Sequence, residues 1–398
     1  MSSTATEIPA RRRFDWRSLL ETLGPLLALA ALVFVTYKSE IYFKGERNFL
    51  KPENLINILK QWSFVGIVAI GMTVVIISGG IDLSVGALVA MAGGAGIWLM
   101  NTAVNAAKFI SDNDAAIKDY KDNVALGLTS IPLTLPWSSA RIALAHVFQT
   151  LHMDGSDAWG VIFAFGTTIL LATIAGWLAG VLIAKGRLAP FIATFGGLAI
   201  YRSIALSLAD GGEFRSAGGT AFSAIGTGGI NLPFAELRPG VPLQLPWPVI
   251  IFFLLAIIAA YLLNKTRFGR YVYAVGSNER AAVYSAVRVD RVKIYVYTLM
   301  GALCGVAALL LGSRMNSIAS SSTGNLYELD AIAAVVIGGT RLGGGSGTIR
   351  GTVIGVLILG VISNMLGILD VSPYLQGTVK GSIIIAAVLL QQIGRKSN

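Results

Sequence analysis

VGIVAIGMTVVIISGGIDLSVGALVAMAGGAGIWLM, residues 65–100, decides how this chain is read. Two apolar runs, 65–77 and 85–100, flank a short break that holds Asp82. Asp82 is the only acidic residue between Glu53 and Asp112, where the only basic ones are Lys60 and Lys108. A bilayer core of about 30 Å takes roughly 20 apolar residues as a helix. Barrel strands instead alternate polar and apolar over about 10 residues, and these runs do not alternate. The stretch therefore predicts two membrane helices joined by a break.

The break itself consists of Gly79, Gly80, Asp82, Ser84 and Gly86. Gly79 and Gly80 end one helix, and Asp82 is the N-cap candidate of the next. From there its carboxylate accepts from the amides near Ser84 and Val85, donors that lipid cannot satisfy. The topology below puts Asp82 near the cytoplasmic face, where a charge costs less than the roughly 2.5–3.5 kcal/mol of the midplane. A structural cap beside the pathway is favoured over direct contact with a solute.

The whole chain is of the same kind. It has 398 residues, 54% hydrophobic and 13% charged, with a mean hydropathy of +0.69. Soluble domains carry about 25% charged residues, so the composition describes an all-α integral membrane protein. The net charge of +10 follows from basic cytoplasmic loops rather than from nucleic acid. A single cysteine, Cys304, excludes an internal disulfide and a thiolate metal cluster. His146 and His152 lie in a polar insert, and no metal site is expected.

Apolar length marks about ten spans: 18–37, 57–78, 83–101, 158–184, 189–208, 244–264, 292–312, 328–340, 349–368 and 373–392. The first follows a basic leader and resembles a signal peptide, but it is read as an uncleaved span behind a cytoplasmic tail, 1–17. Arg11, Arg12, Arg13 and Arg17 place that tail inside. Counting alternately, Lys185 and Arg187, segment 265–291, Arg341 with Arg350, and Arg395 with Lys396 also fall inside. Both termini are then cytoplasmic. Segment 102–157 becomes an extracytoplasmic insert, partly helical, and 209–243 an extracytoplasmic loop with short turns. VVIISGG (74–80) echoes VVIGG (335–339), the kind of paired interruption that marks an internal repeat in transporters.

No stretch matches the phosphate-binding G-x-x-x-x-G-K-[ST]. RLGGGSGTIRG (341–351) lacks its ending and reads as a tight connection between helices. No catalytic constellation and no cofactor site stand out, so the chain is not expected to hydrolyse ATP itself. Segment 266–293, TRFGRYVYAVGSNERAAVYSAVRVDRVK, is strongly basic. Gly276 gives it a turn, Ser277 or Asn278 caps a short helix, and Glu279 suits that helix's positive end. It is either an ordinary juxtamembrane loop or a helix that docks on a cytoplasmic partner.

SGGIDLSVGAL, TRFGRYVYAVGSNERAAVYSAV and YELDAIAAVVIGGTRLGGGSGTIRGTVIG, in this order, resemble the sugar-type ABC transporter permeases of the ribose, xylose and arabinose systems. The likeness runs from about residue 50 to 390. It implies a type II ABC-importer-like permease of about ten helices in a bacterial inner membrane, paired with a second copy of itself or with a different permease. It also implies cytoplasmic ABC ATPase subunits and an extracytoplasmic binding protein that delivers a monosaccharide. Gly276, Ser277, Asn278, Glu279, Arg280, Ala281 and Ala282 would then couple the chain to the ATPase. The chain departs from the family at Ala286, where glycine is usual, at Arg341, and in the length of insert 102–157, read as structural cover or a contact for the binding protein.

Within the spans, Arg202, Asp330 and Lys380 fall at similar depth, with Asp330 as a shared partner for the two cations. Asn364, an amide in mid-span, either faces the solute or ties two helices together. Two other classes stay open from the residues alone: a permease for another small polar solute (an amino acid, a urea-like compound, a quorum signal) and an ion-coupled secondary transporter. The latter needs acidic residues at midplane, and only Asp82 comes near.

Overall fold

The computed structural model describes residues 16–385 except 46, 126–135, 154, 218–219, 239–240, 373, 380 and 383–384. Most of the expected N-terminal tail, most of the tenth span and Lys380 lie outside the described residues. The chain begins with α1 (Trp16–Lys44), α2 (Pro52–Ile77) and α3 (Val85–Val104). The insert forms α4 (Ala106–Ala125) and α5 (Pro136–Thr150), and α6 (Asp157–Ala184) and α7 (Pro190–Leu208) follow. Next come β1 (Glu213–Arg215), α8 (Thr220–Thr227), β2 (Gly229–Arg238) and β3 (Val241–Pro246). The second half holds α9 (Trp247–Lys265), α10 (Arg267–Ser277), α11 (Glu279–Tyr284), α12 (Val289–Met315), β4 (Ser317–Ala319), α13 (Tyr327–Ile337) and α14 (Ile349–Ile368). Residues 374–379 are again helical.

Eight of the described helices are long and apolar enough to cross a membrane: α1 from Gly24, α2, α3, α6, α7, α9, α12 and α14. The chain is a multi-pass inner-membrane protein. The eighth segment, 328–340, is too short for a full crossing unless it extends into its glycine-rich flank, and it forms α13, only 11 residues long. Its C-terminal end is set by Gly338 and Gly339, and the segment before it, 320–326, is not regular helix.

Helix α2 is the centre of the bundle. From Trp62 to Ile77 its sequence is almost wholly apolar, as a helix enclosed by others must be, and every residue of that stretch is buried. It packs on α9, α12, α13 and α14. Helices α6 and α12 meet along small residues instead. A side chain at Gly176 would strike the Tyr297 carbonyl, and one at Gly301 the Ala172 carbonyl. Gly180 lies against Ile294, and Gly305 against Ile169. Two glycines four residues apart on each helix thus bring the backbones into contact, where dispersion rather than water exclusion holds helices together.

The sequence echo is a structural one. At the end of α2 the amides of Gly79 and Gly80 donate to Ile76 O (2.9 Å) and Val75 O (3.0 Å). At the end of α13 the amides of Gly339 and Thr340 donate to Val336 O (2.9 Å) and Val335 O (3.1 Å). Gly79 (φ 87°) and Gly339 (φ 91°) are both left-handed, so each helix closes its last carbonyls in the same way.

Segment 209–243 is more ordered than a loop with turns. β1 pairs antiparallel with β4, and β2 with β3, placing Ile230 opposite Leu245 and Leu232 opposite Leu243. A content rich in Gly, Ser, Ala and Thr pointed to loop, while Ile230 and Leu232 alternate along the strand. In the insert, Arg141 lies 3.6 Å from the centre of the Phe109 ring and donates from Nε to Thr102 Oγ1 (3.1 Å).

Candidate functional site

The break after α2 and the basic segment 265–291 come together in space. Helix α10 starts at Thr266, whose hydroxyl accepts from Gly269 N (3.3 Å), and buries Gly269, Val272 and Val275. Its last turn presents Gly276 to the end of α2. A side chain there would overlap the Ile77 carbonyl oxygen and sit 2.7 Å from the amide nitrogen of Gly345. That amide donates to the same Ile77 oxygen at 2.9 Å. A side chain at Gly344 would meet Gly276 O at 2.8 Å and the Gly79 backbone at 3.1 Å. The phenol of Tyr273 adds a further tie, donating to Gly347 O at 2.8 Å. Burial pushes that phenol above its usual pKa, so it remains a donor.

Three separate stretches therefore touch backbone to backbone: the end of α2, the end of α10 and the 341–347 connection. The expectation that Gly276 makes a turn is corrected. It lies inside α10 with an ordinary helical conformation, and what it supplies is the absence of a side chain.

Asn278 caps α11, accepting from Ala281 N at 3.0 Å, while the Ser277 hydroxyl bonds back to Tyr273 O (2.8 Å). Glu279 sits in the first turn and pairs with Lys293 Nζ of α12 at 2.8 Å. Ala282 is buried. Arg280 and Ala281 are exposed, as are Val283 and Tyr284, the last 90% so. The helix stops at Ser285: Ala286 N donates to Val283 O and Val287 N to Ala282 O, each at 3.0 Å. This closing turn puts Ala286 at φ 59°, where an alanine is strained.

A cavity of about 270 Å³ joins these parts, lined by Gly79, Gly80, Gly276, Glu279, Lys293 and Tyr297 among others. Tyr297 is 1% exposed, and its hydroxyl is buried without a hydrogen-bond partner. Next to it, Asp82 is 2% exposed and accepts from Ser84 N (2.9 Å) and Ser84 Oγ (2.7 Å). The N-cap position of α3 belongs to Ser84, correcting Asp82 as the cap. Both bonds go to Ser84, one to its amide and one to its hydroxyl, and they shape the turn. Gly86, one turn further, packs on Gly324 (φ 74°), where a side chain would overlap the Gly324 carbonyl.

Of the intramembrane polar residues, Arg202 differs from the expectation and Lys380 lies outside the described residues. Arg202 does not turn to Asp330 as the shared acid. It donates to Ser320 O (2.8 Å), Thr323 O (3.1 Å) and Asn325 Oδ1 (3.0 Å), and the carboxylate whose charge acts on it is Glu328. Segment 320–326 is not regular helix, so its carbonyls are open to a guanidinium. Asp330 is half-buried in the first turn of α13. Asn364 exchanges two amide bonds with Asn54, 2.8 and 3.0 Å long, so it ties α14 to α2. Among the described residues no three His, Cys, Asp or Glu side chains gather as metal ligands.

Sequence reasoning missed Tyr273, Gly344, Gly345 and Glu328. Only Gly344 and Gly345 carried a signal, as members of an unusually glycine-rich connection.

Residues 54–388 match the model of a family described as the branched-chain amino acid transport system / permease component. The chain belongs to this permease family. The permease is 35% identical over 382 residues to the ribose import permease protein RbsC of Bacillus subtilis, covering 96% of each chain. It is 34% identical over 387 residues to RbsC of Escherichia coli K12, covering 97% of the permease and 98% of the relative. It is 31% identical over 386 residues to the xylose transport system permease protein XylH of E. coli K12, covering 92% and 90%. No solved structure matches the permease.

Proposed function

We propose that this chain is the membrane-spanning subunit of an ATP-driven importer of a monosaccharide, with ribose and xylose as the first candidates. The observation that carries the reading is the three-way backbone junction at Ile77, Gly276 and Gly345. A cytoplasmic ATPase pair docks on α11, with Val283 and Tyr284 entering its surface and Arg280 at the rim. An extracytoplasmic binding protein delivers the sugar to the face formed by 102–157 and 209–243. Two copies of the chain surround the pathway, and lipid covers the remaining apolar surface.

ATP-driven movement of α11 reaches α10 at once, since Asn278 links them. At Gly276 no side chain cushions the contact, so a shift of α10 displaces the Ile77 carbonyl and the 341–347 connection together. Those two points are the inner ends of α2 and of the α13–α14 pair. One input thus moves both halves of the bundle, which is what alternating access requires.

The test is purification from the native membrane with and without Tyr284→Asp, followed by reconstitution. The expected result is an ABC-type ATPase that accompanies the unaltered chain, is lost in the variant, and supports ATP-dependent uptake of ribose or xylose. Uptake by the isolated chain without ATP would end this reading.

A further inference from the structure

A cavity beside the N-terminal half of α2 is not used by the junction just described. It has a volume of about 540 Å³, within the roughly 300–1,000 Å³ typical of small-molecule sites. Gln61, Trp62, Ser363, Asn364 and Gln376 line it. Gln61 lies 16 residues from Ile77 on one helix, about 24 Å along the axis.

We propose that this cavity is a binding site for a neutral polyhydroxylated solute of monosaccharide size, at the end of the pathway opposite the ATPase junction. The proposal rests on the sugar-import reading and names the residues that meet the sugar. Amide side chains both donate and accept, as sugar hydroxyls do, and three amides converge here. Trp62, itself buried, adds part of the apolar wall. The Ser363 hydroxyl oxygen is buried and without a hydrogen-bond partner, an arrangement that costs free energy unless a ligand satisfies it. None of the described lining residues is charged. A zwitterionic amino acid would find no counter-charge on them, so this lining selects a sugar over the amino acids in the family's description.

Asn364 is held in place by Asn54, which also donates to Phe49 O at 2.9 Å. The amide that faces the cavity is therefore pre-set by a second residue rather than free to rotate. Such a site binds weakly, since transport needs release as much as capture.

Two measurements test this. The only cysteine of the chain, Cys304, is buried, whereas Gln61 is exposed. Gln61→Cys therefore offers one reactive thiol at the cavity in the full importer. Ribose or xylose should slow its labelling by a maleimide, and leucine should not. In proteoliposomes, Ser363→Ala should lower pentose uptake per ATP hydrolysed by about fivefold, the fold-change that one net hydrogen bond is worth.

Labelling indifferent to both pentoses, with an unchanged uptake ratio, overturns the site. Labelling that responds to lipid acyl-chain length instead of to sugar makes the cavity a lipid pocket and also overturns it. An unaltered importer that moves neither pentose sinks the import reading. The labelling result would still decide the site.

Discussion

Gly276 and Ile77 meet without a side chain between them: a Cβ at position 276 would fall on the Ile77 carbonyl oxygen. That oxygen already accepts the Gly345 amide at 2.9 Å. The contact has no slack in either direction, so any side chain at 276 separates α10 from α2.

Gly276→Ala should therefore cost about 1–3 kcal/mol by overpacking and uncouple ATP hydrolysis from uptake. Gly343→Ala is the control, because a Cβ there meets nothing within 4 Å. Thermal unfolding in detergent and the ratio of solute moved to ATP hydrolysed check both. Equal behaviour of the two variants would remove the junction from the mechanism.

Ala286→Gly should stabilise the end of α11. The left-handed conformation at φ 59° costs an alanine roughly 1–2 kcal/mol, of which a flexible glycine returns about 0.5–1 to the unfolded chain. The net gain is about 0.5–1 kcal/mol, read as slower amide exchange at Ala286 and Val287. Faster exchange would contradict the geometry.

Asp82→Asn keeps an acceptor for the Ser84 amide and hydroxyl, and should fold and transport much as the unaltered chain does. Asp82→Ala leaves a buried amide unpaired, at about 1–3 kcal/mol. Measuring expression, melting temperature and uptake separates the two. A folded but inactive Asn variant would show that the carboxylate itself takes part in transport.

Acid should loosen the β1–β4 pair. The Ser317 hydroxyl donates to Glu213 at 2.7 Å and Arg215 pairs with it at 3.0 Å, so its pKa is held below the ordinary 4.5. A carboxylate shifted down contributes stability above its unfolded value, and that contribution is lost as pH falls through the folded one. Amide protection factors of Ser317–Ala319 should be flat above pH 5 and fall below 4.5. In Glu213→Gln they should not change with pH.

The sequence made the spans legible wherever an apolar run was long. It also marked the helix break and the basic segment, because glycine, asparagine and charge act locally. The echo between 74–80 and 335–339 carried through to matching hydrogen bonds, since a helix end is a local structure. What stayed hidden was long-range. No pattern says that Gly276 needs its missing side chain for Ile77, far away in the chain. Nor does one say that Arg202 will donate to the carbonyls of Ser320 and Thr323. Asn54 and Gln61, seven residues apart and so on one face of α2, were the overlooked sign of the polar cavity. Hairpin β2–β3 was hidden in a segment whose Gly, Ser, Ala and Thr content reads as loop.

The glycine contact between α6 and α12 has a mechanical consequence. Helices that touch backbone to backbone cannot slide past one another, so the pair tilts as a single stiff beam. With 27 residues, α12 gives a lever arm of about 40 Å. A tilt of about three degrees at the Lys293 end becomes about 2 Å at the Met315 end, the amplitude of ordinary helix shifts in switching proteins. The strand that follows, β4, lies just beyond that far end and pairs with β1. On the docking reading proposed above, a small rotation beside α11 would be geared up into a displacement large enough to pull β4 away from β1 at the far end of α12.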